Sequence, residues 1–432
     1  MSFQPVDVVR VVLWGKQVGA VALDPRLGFY AFEYDRHFIR SGIQPAPLTM
    51  PTVKAIEPFV FTSLPEMTYK RLPAMLADAL PDDFGNALID AYMAAQGISK
   101  NLVTSLDRLA YMGKRGMGAL EFHPIRGPHM ISSTAIKLGG LVESARRVVH
   151  GDIGSDNLAH AALMQIIQVG TSAGGARAKA AIAWNQETNE IRAGQFEVEP
   201  GFEHWLLKLD GLGKDKELGA SGGYGRIEYG YYLMATEAGI IMAPARLLEE
   251  NGRAHYMVKR FDRDGNAKTH MQSLCAMAHL DYKQKATHDY SQAFQVIRSL
   301  DLGSEAAEEM FRRMVFNVMT ANCDDHTKNI SFLMGEDGMW KLSPAYDMTF
   351  AYNPVGEWTY QHLMSVNGKF KDITTDDMLA VADRFGVGRG KAIIDQVREV
   401  VADWPDYAKG AGVNSKVSGI IRKELVKRAS NS

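Results

Sequence analysis

The stretch that decides the fold lies in the C-terminal half and reads Asn322-Cys323-Asp324-Asp325-His326-Thr327-Lys328-Asn329-Ile330-Ser331-Phe332. A segment with apolar residues at helical spacing, 305–321, precedes it, and a strand-like run, 330–333, follows it. Polar side chains are therefore concentrated at one helix-to-strand junction. We expect functional side chains at this junction.

The spacing within this stretch predicts a phosphoryl-transfer loop. Asp324 and Asn329 are five residues apart, as in protein-kinase catalytic loops, where the Asp orients the acceptor hydroxyl and takes its proton and the Asn binds magnesium. A second carboxylate, Asp347, follows eighteen residues after Asn329. Because magnesium needs few protein carboxylates when phosphate oxygens complete its shell, Asn329 and Asp347 are candidate metal ligands. The alternative is that Asp324, Asp325 and His326 are solvated loop residues.

A glycine-rich turn upstream is a candidate phosphate loop. It reads Gly170-Thr171-Ser172-Ala173-Gly174-Gly175-Ala176-Arg177-Ala178-Lys179. Glycines let backbone amides approach a phosphate closely, and Lys179 adds a positive charge. The turn matches neither the Walker A pattern nor G-x-G-x-x-G. An ordinary turn is the alternative.

Two further segments follow in the order of a two-lobed kinase. Lys208 ends a strand-like run, and Glu228 lies twenty residues later at the start of a predicted helix, which resembles the strand Lys and helix Glu pair of kinases. A rim lysine and an exposed helix-start glutamate are the alternative. The run 256–261 would be the hinge, where backbone groups at Lys259 and Phe261 can pair with adenine.

Hydrophobic periodicity predicts an α+β chain with three parts. Alternation over 6–40 predicts antiparallel strands joined by a tight turn, and 72–97 predicts two short helices. We expect an N-terminal α+β subdomain at 1–125, a strand-rich kinase N-lobe at 126–265 and a helical C-lobe at 266–432. Further helices are predicted at 102–112, 135–150, 156–168, 226–237, 293–300, 305–321, 375–385, 391–402 and 418–429.

Composition sets outer limits. The 432 residues allow two or three domains, and the net charge of −2 gives no global positive field for nucleic acid or membrane. Two cysteines rule out a disulfide scaffold. No signal-peptide pattern and no long apolar run occur, so a cytoplasmic protein is expected.

Together with 80–85 and 111–122, these segments resemble the HipA family, serine/threonine-kinase toxins of bacterial type II toxin-antitoxin modules. The resemblance covers almost the whole chain and implies an ATP- and Mg²⁺-dependent kinase. It places the catalytic base on Asp324, the metal ligands on Asn329 and Asp347, and the strand lysine on Lys208. The nucleotide would be lined by Gly174, Gly175, Ala176, Lys179, Lys208, Lys259, Phe261, His326, Lys328, Asn329, Tyr346 and Asp347.

The resemblance also implies regulation and partners. Family members phosphorylate a serine that falls on Ser172, and the added charge would repel nucleotide. Their target is an aminoacyl-tRNA synthetase, typically the glutamyl enzyme, and the result is growth arrest or persistence. A DNA-binding helix-turn-helix antitoxin dimer, HipB-like, neutralises the toxin, and the complex represses its own operon. The glycine-rich loop sequence and Lys259 at the hinge depart from the best-known member.

Two rival functions stay open from the sequence. One is a small-molecule kinase of related fold, and the other is a non-catalytic co-repressor subunit. The basic pairs Lys114-Arg115 and Arg146-Arg147 and the basic segment 416–428 are either solvated faces or direct DNA contacts. The sequence does not fix the protein substrate.

Overall fold

The structure is a computed structural model that describes residues 3–81, 83–128, 136–150, 166–167, 179–211 and 223–431. Contacts divide the chain into two compact units. Unit 1 comprises Met1–Gly213, Lys259–His279 and Leu333–Met339, and unit 2 comprises Lys214–Val258, Leu280–Phe332 and Trp340–Ser432. The three-part division at 1–125, 126–265 and 266–432 stays a prediction.

An antiparallel sheet of four strands opens unit 1. Its strands lie in the order Phe29–Tyr34, Lys16–Asp24, Val8–Leu13, Leu120–His123. Alternation causes this arrangement, because Val9, Val11 and Leu13 are fully buried on one face while the residues between them point away. The predicted strands within 6–40 are confirmed.

Short helices accompany this sheet. They are Arg36–Ile39, Glu66–Tyr69, Ala74–Asp78, Asp83–Ala95, Ser105–Met112, Leu138–His150 and Leu274–Met277, with 3₁₀ turns at Thr52–Lys54 and Lys100–Leu102. Thr104 and Asp107 form a capping box that starts the helix Ser105–Met112. The two helices predicted within 72–97 are confirmed, whereas most of the predicted helix 156–168 lies outside the described residues.

A second group of antiparallel strands in unit 1 has a fully buried strand at its centre. Lys179–Trp184 pairs with Ile191–Ala193 on one side and with Glu203–Lys208 on the other. All six residues of Lys179–Trp184 are buried. Because both faces of this strand are buried, its sequence does not alternate between apolar and polar residues. Three shorter strands, Arg263–Asp264, Ala267–Lys268 and His270–Ser273, follow later in the chain.

Unit 2 is mainly helical. Its helices are Tyr224–Glu237, Tyr290–Ser299, Gly303–Met319, Thr375–Phe385, Gly390–Ala402, Trp404–Gly410 and Ser415–Asn431. Strands lying wholly or partly in it are Ala245–Glu250, Arg253–Lys259, His288–Asp289, Ser331–Met334, Trp340–Leu342 and Met364–Ser365. Fully buried side chains such as Tyr231, Phe316 and Trp404 form its core. Among the helices that the structure describes, none is long and apolar enough to cross a membrane.

A buried ion cluster fixes the segment 113–118 of unit 1. Asp262 is completely buried and accepts from Arg260 at 2.8 Å, from Arg263 at 2.7 Å and from the backbone amide of Gly118 at 2.7 Å. Burial by itself would raise the pKa of Asp262, but the two guanidinium groups hold this pKa well below its usual value. The carboxylate is therefore charged at neutral pH and ties the backbone at Gly118 to Arg260 and Arg263.

The basic pair next to this cluster does not form one solvated face. The side chain of Lys114 is 56% exposed, whereas Arg115 is only 5% exposed. The solvated-face and DNA-contact interpretations are therefore both wrong for Arg115, because its guanidinium does not reach the surface.

Replacement of Asp262 tests the importance of the ion cluster. Asp262→Asn leaves Arg260 and Arg263 buried without their carboxylate, so we expect a loss of roughly 3–5 kcal/mol in the free energy of unfolding, measured in urea. Asp264→Asn, at an exposed position two residues away, is the matched control and should change stability by less than about 0.5 kcal/mol. Equal effects of the two substitutions would contradict the assignment.

Candidate active site

The loop that carries the predicted chemistry lies in unit 2, between the helix Gly303–Met319 and the strand Ser331–Met334. A 3₁₀ turn at Thr327–Asn329 shapes its second half. The Thr327 hydroxyl donates to the carbonyl of Leu280 at 2.7 Å and ties the loop to the segment that follows residue 279. The loop backbone is therefore held at both of its ends and in its middle.

Asp325 anchors the loop from inside. Its carboxylate accepts hydrogen bonds from the Tyr290 hydroxyl at 3.0 Å, from His362 Nδ1 at 2.8 Å and from the Leu363 amide at 2.7 Å. The side chains of Asp325 and His362 are each 1% exposed. Such a buried carboxylate with three donors is stable only when all of them stay in place.

The network extends inward from Tyr290. Asn317 donates through Nδ2 to the Tyr290 hydroxyl at 2.9 Å, and Asn322 donates through Nδ2 to Asn317 Oδ1 at 2.8 Å. Burial raises the pKa of Tyr290 well above its ordinary value, and the Asp325 charge adds to this effect. Tyr290 therefore stays a hydroxyl donor across the physiological pH range.

Asp324 has the opposite environment. Its side chain is 50% exposed, and its Oδ1 lies 3.9 Å from His326 Nε2. Two adjacent aspartates thus differ completely in accessibility, and only Asp324 presents its carboxylate to solvent. The solvated-loop interpretation is wrong for Asp325, which is buried.

The two predicted metal ligands line one pocket. Asn329 donates through Nδ2 to the Asp324 carbonyl at 2.8 Å. This hydrogen bond fixes the orientation of the Asn329 amide, and with it the position of Oδ1. Asp347 has a left-handed backbone with φ of 54°, a conformation that costs energy in a non-glycine residue. Asn329, Asp347 and Asn322 all line this pocket. Within the described part of the chain, the buried Oδ1 of Asn322 has no hydrogen-bond partner.

The remaining predicted loop residues divide into two groups. His326 and Tyr346 line the same pocket. The Tyr346 hydroxyl donates to the Lys328 carbonyl at 2.6 Å and lies 2.5 Å from Ser331 Oγ. The ammonium of Lys328 lies 5.2 Å from the centre of the Tyr282 ring. Lys328 therefore makes a cation–π contact beside the pocket.

In unit 1, two predicted phosphate-binding lysines are direct cross-strand neighbours. Lys179 and Lys208 stand opposite each other in the antiparallel register, and Lys179 is only 4% exposed. Neighbouring side chains at such positions project from the same face about 5 Å apart. Gly174, Gly175, Ala176 and the predicted modification site Ser172 lie outside the described residues.

Of the predicted hinge 256–261, residues 259–261 belong to unit 1 and residues 256–258 to unit 2. The Arg260 amide donates to the carbonyl of His204 at 2.9 Å, which leaves Lys259 and Phe261 on either side of that bond. The Lys259 ammonium pairs with the carboxylate of Glu203. Lys259, the hinge residue that departs from the family pattern, therefore has its side chain in an ion pair within the protein.

Sequence reasoning missed the supporting residues of the loop. Tyr290, Asn317 and Asn322 precede Asp324, and His362 follows it by more than thirty residues. Asn322 alone carried a signal, because it belongs to the polar stretch. The others are single polar residues in apolar surroundings, and nothing in their spacing indicates that they meet.

Two domain families match the chain. Residues 9–123 match the HipA N-terminal domain, and residues 171–404 match the HipA-like C-terminal domain. The second match covers more than half of the 432 residues. The chain therefore belongs to the HipA family, as its motifs indicated.

A solved structure and two curated proteins extend this result. HipA in the complex of Shewanella oneidensis MR-1 HipA, HipB and operator DNA is similar with a TM-score of 0.67 at 16% identity, covering 98% of this chain and 96% of that one. The predicted α+β fold is thus confirmed. "Putative kinase Y4dM" and "Putative kinase Y4mE" of Sinorhizobium fredii are 28% and 26% identical over 186 and 133 residues. The matches span 44% and 31% of those proteins and 41% and 28% of this chain.

The two adjacent aspartates give a direct test of the loop geometry. Asp325→Asn turns one acceptor oxygen into a donor facing other donors, so we expect a loss of roughly 3 kcal/mol or more in the free energy of unfolding. Asp324→Asn, the matched control at the half-exposed position, should cost less than about 0.5 kcal/mol. Urea unfolding followed by tryptophan fluorescence measures both. Similar losses for the two variants would show that Asp325 is not the anchor.

Proposed function

We propose that the chain is an ATP- and Mg²⁺-dependent serine/threonine protein kinase that acts as the toxin of a HipBA-like toxin-antitoxin system. The proposal is carried by the different environments of the two adjacent aspartates of the loop. Asp325 is buried and accepts hydrogen bonds within the protein, whereas the side chain of Asp324 is exposed beside the fixed Asn329 amide. A general base must be reachable by its substrate and held in position. Asp324 meets both conditions.

In the proposed reaction, the acceptor hydroxyl hydrogen-bonds to the Asp324 carboxylate. The hydroxyl oxygen attacks the γ-phosphorus while the bond from that phosphorus to the bridging oxygen breaks. ADP leaves with the bonding electrons, and the hydroxyl proton passes to Asp324. Positioning and charge stabilisation supply most of the rate in such transfers.

Asn329 and Asp347 would hold the magnesium ion. The donor set fits, because magnesium prefers oxygen ligands and the pocket offers amide and carboxylate oxygens, among them Asn322 Oδ1, which has no partner among the residues that the structure describes. The described residues include no group of three or more His, Cys, Asp or Glu side chains that could hold a metal, so much of the ion's shell would come from phosphate and water. When bound, the ion neutralises charge on the phosphates.

Lys179 and Lys208 would bind the phosphates of ATP. The two lysines stand at directly opposed strand positions, so both ammonium groups can approach one anion from the same face of the strands. Gly174, Gly175 and Ala176 would add backbone amides, and backbone groups at Lys259 and Phe261 would take adenine. His326, Lys328 and Tyr346 would line the nucleotide.

The biological setting is proposed from the family. We infer a HipB-like antitoxin dimer and operator DNA as partners, supported by the likeness to HipA from a HipA, HipB and operator complex. The substrate class would be an aminoacyl-tRNA synthetase, with the glutamyl enzyme as the first candidate. Autophosphorylation at Ser172 would switch the toxin off, because a phosphate there repels the γ-phosphate.

The assignment of the base is tested with Asp324→Asn. We expect this variant to bind Mg-ATP but to transfer phosphate at least about 10³-fold more slowly, because it cannot take the hydroxyl proton. Intact mass before and after Mg-ATP, with peptide mapping over 171–179, measures self-phosphorylation, and labelled ATP with glutamyl-tRNA synthetase measures transfer to the target.

Glu399→Gln, which removes an exposed carboxylate on the helix Gly390–Ala402, is the control and should behave as wild type. Undiminished transfer by Asp324→Asn would remove Asp324 from the base role. Absence of Mg-ATP binding by the wild-type protein would instead favour the non-catalytic co-repressor.

A further inference from the structure

Arg428 lies near the end of the last helix, Ser415–Asn431, and reaches the hydrogen-bond network that supports the loop 322–329. Its Nη1 lies 3.1 Å from His362 Nε2, and the Nδ1 of the same imidazole lies 2.8 Å from the Asp325 carboxylate. The Arg428 side chain is only 17% exposed. One imidazole therefore joins the last helix to the carboxylate that anchors the loop.

The contacts of His362 define where its ring proton lies. A guanidinium has N–H donors but no acceptor, so Nε2 of His362 accepts from Arg428. Burial lowers the pKa of His362, and Cys323 and Asp325 more than offset this effect. A second ring proton would nevertheless point from Nε2 at the guanidinium. We therefore place the single ring proton on Nδ1, which donates to Asp325.

Arg428 also supports the loop by a second route. Its guanidinium lies 4.6 Å from the centre of the Tyr352 ring, which is a cation–π contact. The carbonyl of Ala351, the residue before Tyr352, accepts from the Cys323 amide at 3.0 Å. This second route ends on the residue immediately before Asp324, and the route through the imidazole ends on the residue immediately after it.

Contacts within the last helix hold Arg428 in a fixed orientation. Its Nε donates to Glu424, one helical turn earlier, at 2.8 Å. Ile421 and Leu425, each 1% exposed, bury one face of the same helix. Because a guanidinium is planar and rigid, the bond from Nε to Glu424 also fixes the direction in which Nη1 meets His362. Arg428 is therefore a fixed support for the loop.

We propose that Arg428 is a positioning residue for phosphoryl transfer, which holds the loop backbone on both sides of Asp324. This role rests on the proposed kinase function, in which Asp324 takes the proton of the acceptor hydroxyl. A general base has to stay within hydrogen-bond reach of that proton, and a displacement of about 1 Å costs roughly 10²-fold in rate. Arg428 acts through the rings of His362 and Tyr352.

Phosphoryl transfer by Arg428→Met tests this role. The substitution removes the donor to His362 and the cation at Tyr352 but keeps an unbranched side chain. We expect kcat to fall about 10- to 100-fold, because Asp324 is less well placed, while the KM for ATP changes less than about twofold. Transfer from labelled ATP, to the chain itself and to glutamyl-tRNA synthetase, is followed at varied ATP concentration.

Two further variants separate positioning from a general effect of the helix. Arg428→Lys keeps a cation with N–H donors, so we expect its kcat to exceed that of Arg428→Met at least about fivefold. Arg422→Met removes an exposed arginine of the same helix and should keep the wild-type kcat. Equal kcat values for Arg428→Met and wild type would overturn the role of Arg428.

Amide hydrogen exchange tests the same role without catalysis. The Cys323 amide donates to a backbone carbonyl, and the Leu363 amide donates to the Asp325 carboxylate. In Arg428→Met we expect both amides to exchange at least about tenfold faster, because the loop opens more often, while the helix Gly303–Met319 keeps its rates. Mass spectrometry with fragmentation of the labelled peptides resolves the single amides.

The exchange rates also distinguish failure of this role from failure of the kinase function. Unchanged exchange at Cys323 and Leu363 would overturn the positioning role. Faster exchange throughout unit 2 would overturn it as well, because it would mean a general loss of stability. A wild-type protein that transfers no phosphate would contradict the proposed kinase function instead, and the exchange rates would then still decide whether Arg428 holds the loop.

Discussion

The buried carboxylate of Asp325 is the interaction on which the proposed site depends. Three donors from different parts of unit 2, Tyr290, His362 and the Leu363 amide, converge on it. Because an unsatisfied buried charge is so costly, this convergence fixes the loop backbone more firmly than surface contacts would. The side chain of Asp324, the residue immediately before Asp325, is 50% exposed. The Asn329 amide is fixed in turn by the Asp324 carbonyl.

The same logic governs the charged interior of unit 1. Asp262 is satisfied by two arginines and a backbone amide, whereas Arg115 donates to Gln195 and to the Tyr111 carbonyl. Lys179 and Lys208 stand opposite each other at the end of two paired strands of the same unit.

Local patterns predicted most elements from the sequence. Alternation gave the strand Val8–Leu13, and helical spacing gave Thr375–Phe385 to the residue. The spacing of Asp324 and Asn329 located the loop because both residues belong to one short segment. The helix Trp404–Gly410 and the strand Ala245–Glu250 were not predicted, since both are short and carry no clear period. Domain boundaries and the roles of the site residues stay predictions.

Long-range contacts account for what the sequence could not show. His362 meets Asp325 across thirty-six intervening residues, and no local pattern encodes that contact. Arg115 sits in a basic pair, which usually indicates a solvated face, yet it is buried because the helix Ser105–Met112 and Gln195 pack around it. In both cases the role of a charged residue depends on whether it is buried, and its burial depends on the whole fold.

Binding of ATP measured by titration calorimetry, with magnesium and with EDTA, tests the central claim most directly. The account predicts that wild type binds ATP at least about tenfold more tightly with magnesium than without it, and that Asp347→Asn loses this difference while retaining the metal-free affinity. If magnesium left the affinity of wild type unchanged, or if Asp347→Asn kept the full difference, the pocket formed by Asn329 and Asp347 would not be the metal site of a kinase.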